Sequence, residues 1–167
     1  MSRYNTIIPN DVTNGEGVCV SFFVQGCPHR CDGCFNPETW DFDGGFPFTE
    51  DIKWEIIKAI GANGINRNLS ILGGEPLSFQ NISMVERVVT AARVAYPDIT
   101  IYLWTGYRFQ DLNGGDPVMK KILDSIDVII DGRFMESQKN LDLKFRGSSN
   151  QKIWIKNKQN VWEESNG

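Results

Sequence analysis

Short apolar runs alternate along this chain with stretches whose apolar residues fall at helical spacing, and glycine-bearing loops separate them. Val18 to Gln25 (VCVSFFVQ) is rich in β-branched and aromatic residues and predicts a strand buried on at least one face. Thr49, followed by Glu50 and Asp51, predicts a capped helix whose acidic first turn suits the positive helix end. Ile52, Ile56, Ile57 and Ile60 give that helix an apolar face. Leu69 to Leu72 predicts a short buried strand. Ser83-x-x-Glu86 reads as a capping box opening a second helix, lined by Val85, Val88, Val89 and Ala92, with Pro97 beyond its end. Ile99 to Trp104 predicts a third strand. Asp116-Pro117 supplies an N-cap and first turn for a helix carrying Met119, Ile122 and Leu123. Ile126 to Ile130 predicts a fourth strand, and Lys152 to Ile155 a short further one. Residues 1–17 show no clear period and end in the turn signal Asn14-Gly-Glu-Gly17, while Glu163 to Gly167 read as a frayed end.

The order β-α-β-α-β-α-β predicts an α/β fold with parallel strands joined by right-handed crossovers. Its loops carry the unusual residues. Cys27-Pro-His-Arg-Cys31-Asp-Gly-Cys34, Gly73-Gly74-Glu75-Pro76, Thr105-Gly106-Tyr107 and Asp131-Gly132 each follow a predicted strand. In a parallel sheet those strand ends share one edge, where sites are built. A complete (β/α)8 barrel needs about 250 residues, so 167 residues predict a partial, open barrel in one domain.

Three of the four cysteines lie within eight residues, spaced C-x3-C-x2-C. Thiolates this close can share one metal centre, and a [4Fe–4S] cubane held by three of them keeps one iron free of protein. The alternative is a structural zinc site in a non-catalytic binding module, with Cys19 or His29 as fourth ligand. Usual zinc spacings add a second, distant pair, which this sequence lacks. Cys19 itself reads as a buried strand residue, and His29 as part of the cysteine loop, with a hydrogen bond to a cluster sulfide as its possible task. Gly73 and Gly74 let the backbone come close to a ligand, and Pro76 fixes the turn.

A hydrophobic share of 41% with 23% charged residues is ordinary for a globular chain, and the net charge of −4 gives no footprint for nucleic acid. No apolar run reaches the roughly 18 residues of a membrane span, and the first residues lack a signal-peptide apolar region. Clustered cysteines in such a chain favour metal or redox chemistry over disulfides and predict a cytoplasmic setting.

C-x3-C-x2-C after one strand and Gly-Gly-Glu-Pro after the next resemble the radical S-adenosylmethionine superfamily. The resemblance implies a partial βα barrel with helices outside and a [4Fe–4S] cluster on Cys27, Cys31 and Cys34. It further implies that the open iron chelates the amine and carboxylate of S-adenosylmethionine, whose sulfonium is cleaved by one electron to give a 5′-deoxyadenosyl radical. Gly73, Gly74 and Glu75 would meet the methionyl ammonium. Gly33, Cys34 and Phe35 would border the cofactor. Asp131, at the same sheet edge, reads either as a turn residue or as a cofactor contact, and Trp104 and Tyr107 read as core or rim residues, with an adenine contact as the alternative. Many members place an aromatic just before the third cysteine; here Gly33 stands there and Phe35 follows.

Within the superfamily the chain is most similar to the activating proteins of anaerobic (class III) ribonucleotide reductase. The shared segments are Asn14-Gly-x-Gly17, Phe23-x-x-Gly26-Cys27, Cys31-x-Gly33-Cys34-x-Asn36, Thr39-Trp40, Gly73-Gly74-x-Pro76-Leu77, Trp104-Thr105-Gly106-Tyr107, Asp131-Gly132 and Arg146-Gly-Ser-Ser-Asn-Gln151. Cys19 stands where members carry Arg, and Glu75 where they often carry Asp. The resemblance implies a single domain over 1–167, with a core of about 18–132 and a family-specific segment of about 133–167. It implies hydrogen abstraction from a glycine in a loop of the reductase catalytic subunit, fed by a reducing electron donor, with no catalytic residue beyond the cluster ligands. Activation of another glycyl-radical enzyme, or action on a small molecule, is the alternative within the same chemistry. Arg146 to Gln151 is a candidate docking loop for the reductase.

Overall fold

The structure, a computed structural model, describes residues 2–165. Eight strands form one open mixed sheet. They are β1 (Arg3–Asp11), β2 (Cys19–Val24), β3 (Phe46–Pro47), β4 (Asn68–Gly73), β5 (Ile101–Trp104), β6 (Val128–Asp131), β7 (Lys152–Lys156) and β8 (Trp162–Ser165). Their order across the sheet is β3-β1-β2-β4-β5-β6-β7-β8. β2, β4, β5 and β6 are mutually parallel, as the alternating pattern predicts, and α1 (Glu50–Ile60), α2 (Ile82–Ala95) and α3 (Pro117–Ser125) are the crossovers.

Alternation along the strands sorts the side chains into two faces. Phe22, Ile71, Leu103 and Ile129 lie in register across the parallel strands and, with Val20, Val24, Leu69 and Ile101, pack against all three helices. From the helices come Ile56 and Ile60 of α1, Val85 and Val88 of α2 and Ile122 of α3, all fully buried. Burial of each such side chain contributes roughly 1.5–3 kcal/mol, so this face carries most of the apolar stabilisation. The opposite face is the row Ser21, Ser70, Tyr102 and Val128, more polar and covered by loops instead of helices. There Asp11 accepts from Thr13 N (2.9 Å), Asn14 Nδ2 (2.7 Å) and Ser21 Oγ (2.7 Å). Glu16 N donates to Tyr102 Oη at 3.1 Å, which ties residues 12–18 across the starts of the parallel strands.

Thr49 and Asp116 cap α1 and α3 as expected, accepting from Ile52 N and Met119 N. Three expectations need correction. First, residues 3–11 are a strand, antiparallel to β2, whose register shifts between Tyr4 and Thr6 and again between Ile8 and Asp11. Such irregularities erase the two-residue period by which a strand is recognised in sequence. Second, α2 begins at Ile82, so Ser83 sits inside its first turn and no capping box forms. Asn81 holds the cap position, yet its side chain makes no cap bond. Third, Trp162–Ser165 is not frayed but pairs antiparallel with β7, Ile155 opposite Glu163 and Trp154 opposite Glu164. The final two residues of that expectation lie outside the described ones.

Candidate metal centre

The ends of β2, β4, β5 and β6 bring their four loops together. The cysteine loop leaves β2 at Gln25, a buried amide that donates to Glu38 O (3.0 Å) and Asp41 O (2.8 Å). Gly26 N and Cys27 N donate to Thr39 O (2.7 Å) and Trp40 O (3.1 Å), folding residues 27–38 back over their own root. Inside the loop Cys34 N closes a turn on Cys31 O at 3.1 Å, and Arg30 and Gly33 take left-handed backbone with φ of 48° and 73°. Asn36 N donates to Cys34 Sγ at 3.4 Å, the kind of N–H···S contact that steadies a thiolate ligand.

Cys27, Cys31 and Cys34 are all free thiols and line one pocket with Gly73, Gly74 and Glu75. Burial pushes the Cys27 thiol up to about 11, with the Glu75 carboxylate adding to the shift, and burial raises Cys31 as well. Half-buried thiolates therefore need a compensating cation, and metal binding here must displace protons. Among the described residues no three His, Cys, Asp or Glu side chains are gathered tightly enough to hold a single ion. A cubane asks for a wider spread, because each thiolate attaches to a different iron. The donor set and its placement fit a [4Fe–4S] cluster held by three cysteines.

The glycine pair lies against the cysteine loop. Gly73 has φ of 102°, which glycine alone adopts at no steric cost. A Cβ on Gly74 would collide with the carbonyl oxygen of Gly26 and stand 2.9 Å from its carbonyl carbon. Gly74 N and Glu75 N donate to Val24 O (2.9 Å) and Gly26 O (2.8 Å), so two strand ends are stitched edge to edge. Asn81, 1% exposed, adds bonds from Nδ2 to Gln25 O, Gly26 O and Glu75 O at 2.9, 3.3 and 3.1 Å. Its role is missed by sequence reading, where Asn81 looks like one polar residue among several before a helix.

The other candidate residues divide by position. Glu75 lines the pocket, but its carboxylate is buried and bound within the protein. His29 Nε2 donates to Glu75 Oε1 at 2.7 Å, so its ring is committed there, and it packs edge-on to Tyr107 at 4.7 Å. Trp104 lines the pocket, whereas Tyr107 lines a neighbouring one. Gly33, Phe35 and Asp131 lie outside the lining. A Cβ on Gly33 would stand 2.8 Å from the Glu136 carboxylate, and the Phe35 ring packs at a tilt against Phe134, centroids 5.0 Å apart. Asp131 accepts from Phe109 N (2.7 Å), Lys152 N (3.1 Å) and Trp154 Nε1 (3.1 Å), so it fixes the β5 loop and the edge of β7.

The Arg146–Gln151 segment is internally braced. Gln151 Oε1 accepts from Gly147 N and Ser148 N at 2.8 and 3.1 Å, while its Nε2 donates to Gly132 O at 2.8 Å. The segment thereby walls an adjoining groove of about 510 Å³ floored by Phe23, Leu72 and Trp104. Asn36, Leu72, Trp104, Phe134 and Gln151 line both groove and cysteine pocket, so the two are continuous.

Comparison with known proteins agrees with this chemistry. The family described as "4Fe-4S single cluster domain" matches residues 13–154. The chain is 37% identical over 152 residues to the anaerobic ribonucleoside-triphosphate reductase-activating protein of Escherichia coli (strain K12), covering 90% of this chain and 97% of that protein. It is 38% identical to the protein of that name from Vibrio cholerae, covering 90% and 96%. To that of Enterobacteria phage T4 it is 38% identical over 163 residues, covering 96% and 98%. With three free thiols on one pocket and similarity running through the whole fold, this chain belongs to the family of anaerobic ribonucleoside-triphosphate reductase-activating proteins.

Proposed function

We propose that the chain activates an anaerobic ribonucleotide reductase by generating a glycyl radical on its catalytic subunit. The observation that carries this reading is the three-thiol pocket at the ends of parallel strands, open into a groove large enough for a strand of polypeptide. On this reading β2, β4, β5 and β6 with their helices are a partial βα barrel of the radical S-adenosylmethionine type, and the chain works as one domain. Cys27, Cys31 and Cys34 hold a [4Fe–4S] cluster with one open iron, and the backbone of Gly73 and Gly74 receives the methionyl end of S-adenosylmethionine. Bound there, cluster and cofactor supply one-electron reductive cleavage of a sulfonium and an abstractor of hydrogen atoms.

The chain's own residues then have three tasks. The three thiols would release their protons to solvent as they ligate the cluster as thiolates, and would anchor it at the sheet edge. Aromatic and aliphatic side chains of the groove keep water from the reacting carbon. Trp104, which donates from Nε1 to Phe145 O at 2.8 Å, joins the groove floor to the braced Arg146–Gln151 wall against which a glycine-bearing loop of the reductase docks. No general base is required, because hydrogen leaves the glycine Cα as an atom. The glycine's missing side chain lets its backbone approach, and delocalisation onto both flanking amides weakens its Cα–H bond. Gly33, Phe35 and Asp131 border the cofactor indirectly, through the cysteine loop, the groove mouth and the β5 loop. A cytoplasmic setting, where thiols stay reduced, and a low-potential electron donor complete the scheme.

Anaerobic reconstitution with iron and sulfide, reduction, and electron paramagnetic resonance with and without S-adenosylmethionine test it. The expected result is a brown protein whose reduced-cluster signal changes when the cofactor is added. A colourless protein that takes up zinc and shows no cluster signal would leave a metal-stabilised binding module instead.

A further inference from the structure

Glu75 occupies the position from which a carboxylate would be expected to grip an ammonium, and the geometry around it points elsewhere. Its side chain is 1% exposed. Oε1 accepts from His29 Nε2 at 2.7 Å and from Gly106 N at 2.6 Å. Oε2 accepts from Leu77 N and Thr105 Oγ1, both at 2.8 Å. A carboxylate offers about four acceptor sites, and here four donors from three different loops fill them. Because carboxylate oxygens accept, the His29 Nε2 carries the proton that bridges the two side chains.

We propose that Glu75 is a positioning residue, a clasp that fixes the cysteine loop relative to the β4 and β5 loops, and that its carboxylate is not itself a contact of the methionyl ammonium. The inference rests on the cluster-and-cofactor reading above and concerns how that site is held. His29 is the lever. It lies midway between Cys27 and Cys31, its side chain is 4% exposed, and its ring leans on Gly106, where a Cβ would stand 2.6 Å from Nε2. A shift of this ring moves the stretch of chain that carries two of the three thiols. Thr105 and Gly106 are linked to the same carboxylate, so the β5 side of the pocket and the cysteine side share one anchor.

The direct-contact and clasp readings separate on His29 and Thr105, whose donors are both committed to the Glu75 carboxylate. In the reconstituted, reduced protein, apparent affinity for S-adenosylmethionine is read from the change in the cluster signal during titration. Glu75→Gln replaces one acceptor oxygen with an amide that opposes two donors, and should weaken affinity by about tenfold or more. If Glu75 is a clasp, His29→Phe, which keeps the ring but loses the donor, and Thr105→Val should each weaken it too, by roughly threefold to tenfold. His29→Phe should in addition shift the cluster signal before any cofactor is added, and His29→Gln, which restores an amide donor, should return both readouts toward the parent. If Glu75→Gln fails to fold, the His29 and Thr105 variants carry the comparison alone. Unchanged affinity and cluster signal in His29→Phe and Thr105→Val would overturn the proposal. A parent protein with a cluster that ignores S-adenosylmethionine would instead overturn the cofactor reading beneath it, a distinct result.

Discussion

Replacing Cys27, Cys31 or Cys34 with alanine, one at a time, is expected to strip the cluster and reduce radical formation on the reductase to background. On the proposed reading each thiolate would be one of only three protein bonds to the metal, and burial, which raises Cys27 and Cys31, makes their thiolates costly without it. Loss of an outer-shell partner alone costs 10- to 100-fold at metal sites, so loss of a ligand should exceed about 100-fold. Iron content, visible absorbance and S-adenosylmethionine cleavage all report the change. Cys19→Ala supplies the contrast. Cys19 is fully buried on β2, its sulfur donates weakly to Glu16 O at 3.5 Å, and it lies far along the strand from the pocket. Its alanine variant should keep its iron. A cysteine-loop variant with parental iron content would remove that residue from the ligand set.

Gly74→Ala should be nearly as damaging, although it removes no chemical group. The new methyl would press on backbone atoms of Gly26, 2.9 Å from the carbonyl carbon and 3.1 Å from the nitrogen, and backbone cannot swing aside. The same carbonyl accepts from Glu75 N and Asn81 Nδ2, so pushing it away costs two hydrogen bonds besides the clash. A cost of about 3 kcal/mol or more is expected, which for a chain of this size lowers the melting temperature by roughly 6–12 °C. Gly114→Ala, with nothing within 4 Å of the added methyl, should change stability by no more than about 0.5 kcal/mol. Thermal melts of the two variants, made side by side, decide whether contact with Gly26 is the cause.

Much of this architecture is legible from residue order. The isoleucines of α1 announce a buried face, and Phe22, Ile71, Leu103 and Ile129 sit in strands whose apolar content alone marks them as central. The cysteine spacing and the glycine pair are local signals, visible because the chemistry forces residues close in sequence. What escapes is what depends on distant partners. β1 carries Pro9 and two register shifts, and it becomes a strand only because β2 lies beside it. Trp162 to Ser165 pair only because β7 presents an edge. Asn81, 55 residues from Gly26, cannot be distinguished in sequence from an ordinary helix cap. Glu75 is visible as a charged residue in the right loop, but the four donors that fill its carboxylate come from positions 29, 77, 105 and 106. The Arg146–Gln151 segment is likewise readable as a resemblance, and its physical logic, Gln151 folding back on Gly147, Ser148 and Gly132, exists only in three dimensions.

The most direct test of the account mixes the reduced, reconstituted chain with anaerobic ribonucleotide reductase and S-adenosylmethionine in the absence of oxygen, then records the paramagnetic resonance of the reductase. The account predicts a persistent organic-radical doublet on the reductase, split by the one hydrogen left on the glycine Cα, that collapses toward a single line when the reductase carries deuterated glycine. Cleavage of S-adenosylmethionine at the parental rate with no radical on the reductase would contradict it.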